Sequence, residues 1–175
     1  RCKVSRRSWT SGCSPGAARQ FAPIGSLHVG VITSSLGDLT AGSCASIANP
    51  DDKAHLINRS LSGDPVPTYN DQGFLAYEQG VDATPDDLIV KTQDLILGAN
   101  QIGCGYEMPL EAMARFLVDP TPYESLIAGS GNIQENGTDQ VILDQRAAFL
   151  RPTSSVAVIV LSDEDDCSID VSGPG

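Results

Sequence analysis

Val156-Ala-Val-Ile-Val-Leu-Ser-Asp-Glu-Asp-Asp-Cys167 is the stretch on which the fold turns. Six apolar residues run straight into four acidic ones, the pattern of a fully buried strand that ends by pushing carboxylates out of a sheet edge. In open α/β folds, ligands and metals collect at the carboxyl ends of such strands. Asp163, Glu164, Asp165 and Asp166 are therefore the first candidates for a site.

Working outward, 175 residues suffice for one ordinary domain with a substantial core. Apolar residues make up 41% of the chain, which suits a globular fold rather than a disordered tail. No run of 18 apolar residues occurs, so nothing is expected to span a membrane. The net charge of −11 hides an asymmetry: the first 20 residues carry five basic groups (Arg1, Lys3, Arg6, Arg7, Arg19) and no acid. The other 155 residues hold 6 basic against 22 acidic side chains. A surface this acidic repels nucleic acid and favours cations or basic partners. Residues 1–20 lack the apolar stretch of a signal peptide and read as a disordered or spurious basic segment, with residues 21–175 as the domain. The chain opens on Arg1 and closes on Ser172-Gly-Pro-Gly175, and it is read as a fragment.

Ser26 to Ser34 is a β-branched run stopped by Ser-Leu-Gly-Asp, a buried strand ending in a turn. From Gly37 to Gln72 no period is sustained, and a long surface excursion is expected. Phe74–Tyr77 fits a short strand. Thr84-Pro85-Asp86-Asp87 supplies a cap, a proline and first-turn acids for a helix through about Gly98, with Leu88, Ile89, Leu95 and Ile96 on its apolar side. A second helix begins near Glu107, carries Leu110, Met113, Ala114 and Leu117 on one face, and stops at Asp119-Pro120. Residues 121–139 read as a loop. A helical piece from Thr138 to Phe149 then leads into the strand at 156–161. Strands separated by helices predict an α/β fold with a mostly parallel sheet flanked by helices.

Leu27-His-Val-Gly-Val-Ile-Thr-Ser-Ser-Leu-Gly37, Gly103-Cys-Gly-Tyr-Glu-Met-Pro-Leu-Glu-Ala-Met113, and Phe149-Leu-Arg-Pro152 with Val158-Ile-Val-Leu-Ser-Asp-Glu-Asp-Asp-Cys-Ser168 resemble the von Willebrand factor type A domain, in a secreted or lipid-anchored bacterial branch. The likeness covers about residues 21–170. It implies a Rossmann-like fold, incomplete here, and an extracytoplasmic location. It also implies a site for Mg²⁺ or Ca²⁺ built by three loops, of which Asp163 matches one. An Asp-x-Ser-x-Ser after a first strand is absent, and Gly103-Cys-Gly-Tyr106-Glu107 stands where a threonine is usual, leaving Glu107 to offer an oxygen.

Asp163, with Glu107 or Asp165, is the metal-ligand set this reading yields. The rival reading of 162–166 is a solvated acidic turn whose side chains cap the following segment. Glu107 equally suits a first-turn acid favouring its helix dipole, and Asp38 a plain turn residue. The five cysteines (Cys2, Cys13, Cys44, Cys104, Cys167) show no zinc-ligand spacing. Cys104 and Cys167 are both expected at one sheet edge, either joined as a disulfide or left as small buried thiols. No nucleophile elbow, metalloprotease helix, P-loop or dinucleotide fingerprint occurs, so the chain does not read as an enzyme. His28 is expected as a satisfied structural histidine, and His55 has no partner legible in sequence. The function expected is a binding or adhesion module engaging a protein or cell-surface ligand, with a metal-free structural domain as runner-up and a metal-assisted hydrolase third.

Overall fold

Leu27, Val29 and Val31 alternate with His28 and Gly30, and this alternation builds the centre of the fold. In the computed structural model, which describes residues 24–36, 51–81, 85–101, 107–128 and 133–168, strand β1 (Ser26–Gly30) pairs antiparallel with β2 (Phe74–Glu78). The register sets Val29 opposite Leu75 and His28 opposite Ala76. Opposed residues share a face, so the ribbon has two distinct sides.

On one side Phe74 and Ala76 join Leu36, Ala54, Leu56, Met108, Ala112, Phe116 and Ile142 in the main core. The other side carries a smaller cluster of Val66, Leu75 and Leu95, with Val29, Val31 and Leu88 packed against it. Helix α1 (Pro85–Gly98) covers this second side, and helices α2 (Pro109–Leu117) and α3 (Gln140–Phe149) cover the first. The molecule is thus a mixed α/β fold in which both ribbon faces are buried. This explains why β1 is half-buried along most of its length rather than alternating cleanly between water and core.

The parallel sheet expected from sequence is not found among the described residues, whose strands form two separate two-stranded antiparallel sheets. The second is a hairpin, β3 (Ser125–Ala128) with β4 (Ile133–Asn136), in the region read as loop. Its signal was present: two short apolar-containing runs separated by Gly129-Ser-Gly-Asn132.

The largest departure is Val156–Leu161. The segment is extended, but it lies in no strand, and Val156, Val158, Val160 and their neighbours are exposed, Ile159 at 82%. A strand buries only when other strands flank it, and none of the described residues pairs with this one.

Helix starts follow the sequence more closely. Asp86 and Asp87 lie in the first turn of α1, where carboxylates favour the helix dipole. The Asp139 carboxylate caps α3 by accepting from the Ile142 amide at 3.3 Å. The α2 face is rotated from the expected one: Ala112, Arg115 and Phe116 are buried while Leu110 is exposed. The supposed surface excursion contributes Ala54, Leu56, Ile57 and Val66 to the interior. Gly73 enters β2 at φ 81°, with its absent Cβ position 2.7 Å from the Leu56 carbonyl oxygen, so the turn requires glycine twice over.

Candidate functional site

Three chain segments meet at the N-terminus of α2, and backbone hydrogen bonds bind them. The Met108 amide donates to the Ser34 carbonyl at 3.1 Å, and the Cys167 amide to the Glu107 carbonyl at 2.8 Å. Asp166 then does what an N-terminal helix turn demands, since its first amides have no partner within the helix. One carboxylate oxygen accepts from the Leu110 amide at 2.9 Å and the other from the Ser168 amide at 2.9 Å. Ser168 Oγ accepts from the Glu111 amide at 3.0 Å. The Ser168 hydroxyl, and after it the Leu110 amide, holds the Asp166 carboxyl below its ordinary range.

Ser162 shapes the other end of the acidic turn: its hydroxyl donates to the Glu164 carbonyl at 2.9 Å and lies 3.2 Å from the Glu164 amide. Asp163, Glu164 and Asp165, between Ser162 and Asp166, are exposed to solvent. The result is a rim of exposed carboxylates tied to α2 at its C-terminal end. Beneath it Cys167 packs, half-buried, against the main core.

The site expectations separate at this point. Glu107 reaches the rim through its carbonyl. Asp166, which the sequence reading left outside the metal set, is the carboxylate that touches α2: it caps that helix at Leu110 and also accepts from the Ser168 amide in the segment after the turn. Among the described residues no group of three His, Cys, Asp or Glu side chains gathers closely enough to hold a metal ion. Cys2, Cys13, Cys44 and Cys104, as well as Asp38 and residues 1–20, lie outside the described residues.

A second polar centre was not legible in sequence. Arg115 and Asp139 are 1% and 5% exposed and pair at 3.2 Å, and His55 Nε2 lies 2.7 Å from the same Asp139 oxygen. Arg115 also donates to the Lys53 carbonyl at 3.0 Å and the Tyr123 carbonyl at 2.6 Å, and its guanidinium sits 4.0 Å from the Tyr123 ring centroid. Burial pushes the Tyr123 hydroxyl up to about 12. Arg115 thereby ties the 53–55 bend, the segment before β3 and the start of α3 to α2. The His55–Asp139 contact ties the 53–55 bend to the start of α3.

A comparable tie holds the 51–66 segment. Arg59 grips Asp52 through two hydrogen bonds of 2.7 and 2.8 Å, Thr33 donates to Asp52 at 2.8 Å, and Arg59 Nε donates to the Gly98 carbonyl at 3.1 Å. His28 is satisfied as expected, with Nδ1 2.8 Å from the Phe149 carbonyl and its ring 4.7 Å from that of Phe74.

No family model matches this chain, and neither a curated protein nor a solved structure does.

Proposed function

We propose that the chain is a binding module that presents the Asp163–Asp165 rim to a protein partner outside the cytoplasm. One observation carries this reading: three carboxylates with no ion-pair partner among the described residues stand exposed on a turn that Ser162 braces internally and that Asp166 and Cys167 tie to the start of α2. Exposed charges on a pre-ordered turn raise the rate at which an oppositely charged partner finds the surface, and they lose little conformational entropy on contact. The convergence of the segments around Ser34, Glu107 and Asp166 supports the resemblance to the von Willebrand factor type A domain, in which such a rim binds ligands. In the form of the reading that this resemblance suggests, Ca²⁺ or Mg²⁺ on Asp163, Asp165 and Glu107 would bridge to an acidic ligand.

Calorimetry separates the two forms. Binding of a lysine-rich peptide that persists in EDTA, weakens with added salt and is lost in Asp163→Asn/Glu164→Gln/Asp165→Asn is expected. Heats with CaCl₂ or MgCl₂ that vanish in Asp163→Ala would instead assign the rim to a cation. Equal heats for wild type and both variants with every probe would remove the rim from function. A metal-free structural role is the second reading, favoured because Asp166 and Ser168 spend their oxygens capping α2.

A further inference from the structure

We infer that Val156–Leu161 is a self-recognition edge, which pairs antiparallel with the same segment of a second copy of this chain. The inference does not depend on the acidic rim binding any ligand.

The segment is already extended, all six residues are exposed, and no backbone amide or carbonyl from 156 to 161 is hydrogen-bonded to a described residue. It contains no proline, glycine or charge. An unpaired, uncharged edge of this composition is a template for another strand, and nothing in the segment blunts it. Charge decides which strand. A parallel copy would lay the four acidic residues 163–166 beside four more, an arrangement that like-charge repulsion disfavours.

An antiparallel copy, centred between Val158 and Ile159, sets 156 opposite 161 and 157 opposite 160. Each acidic turn then meets the Arg151–Ser155 end of the other copy. Arg151 suits that role. Among the described residues its side chain hydrogen-bonds only to Ser26 Oγ, its Nε is buried with no acceptor, and no carboxylate pairs with it. Such a contact is isologous and uses one edge of each strand, and we assign it to a pair. A two-strand interface lies below the size of stable complexes, which sets its dissociation constant in roughly the micromolar range.

Sedimentation velocity of the full chain in EDTA at low salt tests this. A monomer–dimer equilibrium is expected between about 1 and 200 µM, and Ile159→Lys, a change at an exposed position, is expected to leave only monomer. Arg151→Glu and Asp163→Lys/Glu164→Lys/Asp165→Lys are each expected to be monomeric alone, because each places like charges at both ladder ends. Mixed in equal amounts they are expected to form a dimer. Circular dichroism matching wild type establishes that each variant is folded. Any one of three results overturns the inference: wild type monomeric throughout the range, Ile159→Lys still dimeric, or a mixture of charge variants that stays monomeric. Open-ended growth of wild-type species with concentration would also overturn it, since it contradicts the closed pair.

Discussion

Arg115 shows how much one side chain can organise when it is buried among carbonyls. Its pairing with Asp139 gains most of its value from the cost of the alternative: without the guanidinium, Asp139 is left as a buried charge with His55 as its remaining partner. Arg115→Met is therefore expected to destabilise the fold by about 3–5 kcal/mol in urea denaturation. Tyr123 adds an alkaline signature. Because its folded-state value stands near 12 rather than at the ordinary 10.0, stability is whole below about pH 10 and falls as pH climbs toward 12. Ultraviolet titration is expected to find Tyr123 still protonated at about pH 11 in the native protein and ionised in urea, a difference that Tyr123→Phe removes.

At the scale of elements, α2 depends on a residue 56 positions away for its cap. Loss of the carboxylate in Asp166→Ala is expected to speed exchange of the Leu110 amide by roughly tenfold, the equivalent of a lost N-cap. Acid acts in the same direction. A carboxyl held below its ordinary range contributes fully above that range and loses its contribution as pH falls through the lower folded-state value. Leu110 and Cys167 amide protection should fade together in acid, and Asp166→Ala should abolish the pH step at Leu110. The end of α1 is confined sterically, since a Cβ at Gly98 would sit 1.8 Å from the Arg59 carbonyl oxygen. Gly98→Ala is expected to cost about 1–3 kcal/mol, as overpacking does, and chemical denaturation would measure it.

The sequence carried the helices well, because Pro85, Pro109, Asp139 and the acids beside them act locally, through caps and dipoles. Arg115 and His55 were opaque, since their partners lie 24 and 84 residues away and nothing in spacing links them. The apolar run at 156–161 misled for a related reason: composition reports how readily a segment forms a strand, while burial depends on neighbours that the run does not encode.

Across the whole molecule, the two-sided ribbon divides the interior unequally. Among the described residues the main core joins eight buried side chains from the ribbon, α2, α3 and connecting segments, whereas the α1 side has three, Val66, Leu75 and Leu95, with Val29, Val31 and Leu88 partly buried against them. Sub-global opening follows the smaller cluster. Native-state hydrogen exchange is expected to find α1 amides opening at lower denaturant than those of α3, with Leu95→Ala widening the gap and leaving α3 unchanged. A cell meeting this protein under stress would then first encounter a half-peeled form, one helix swung loose and the far wall of the ribbon bare, and quality-control machinery would see that wall long before the rest of the chain gave way.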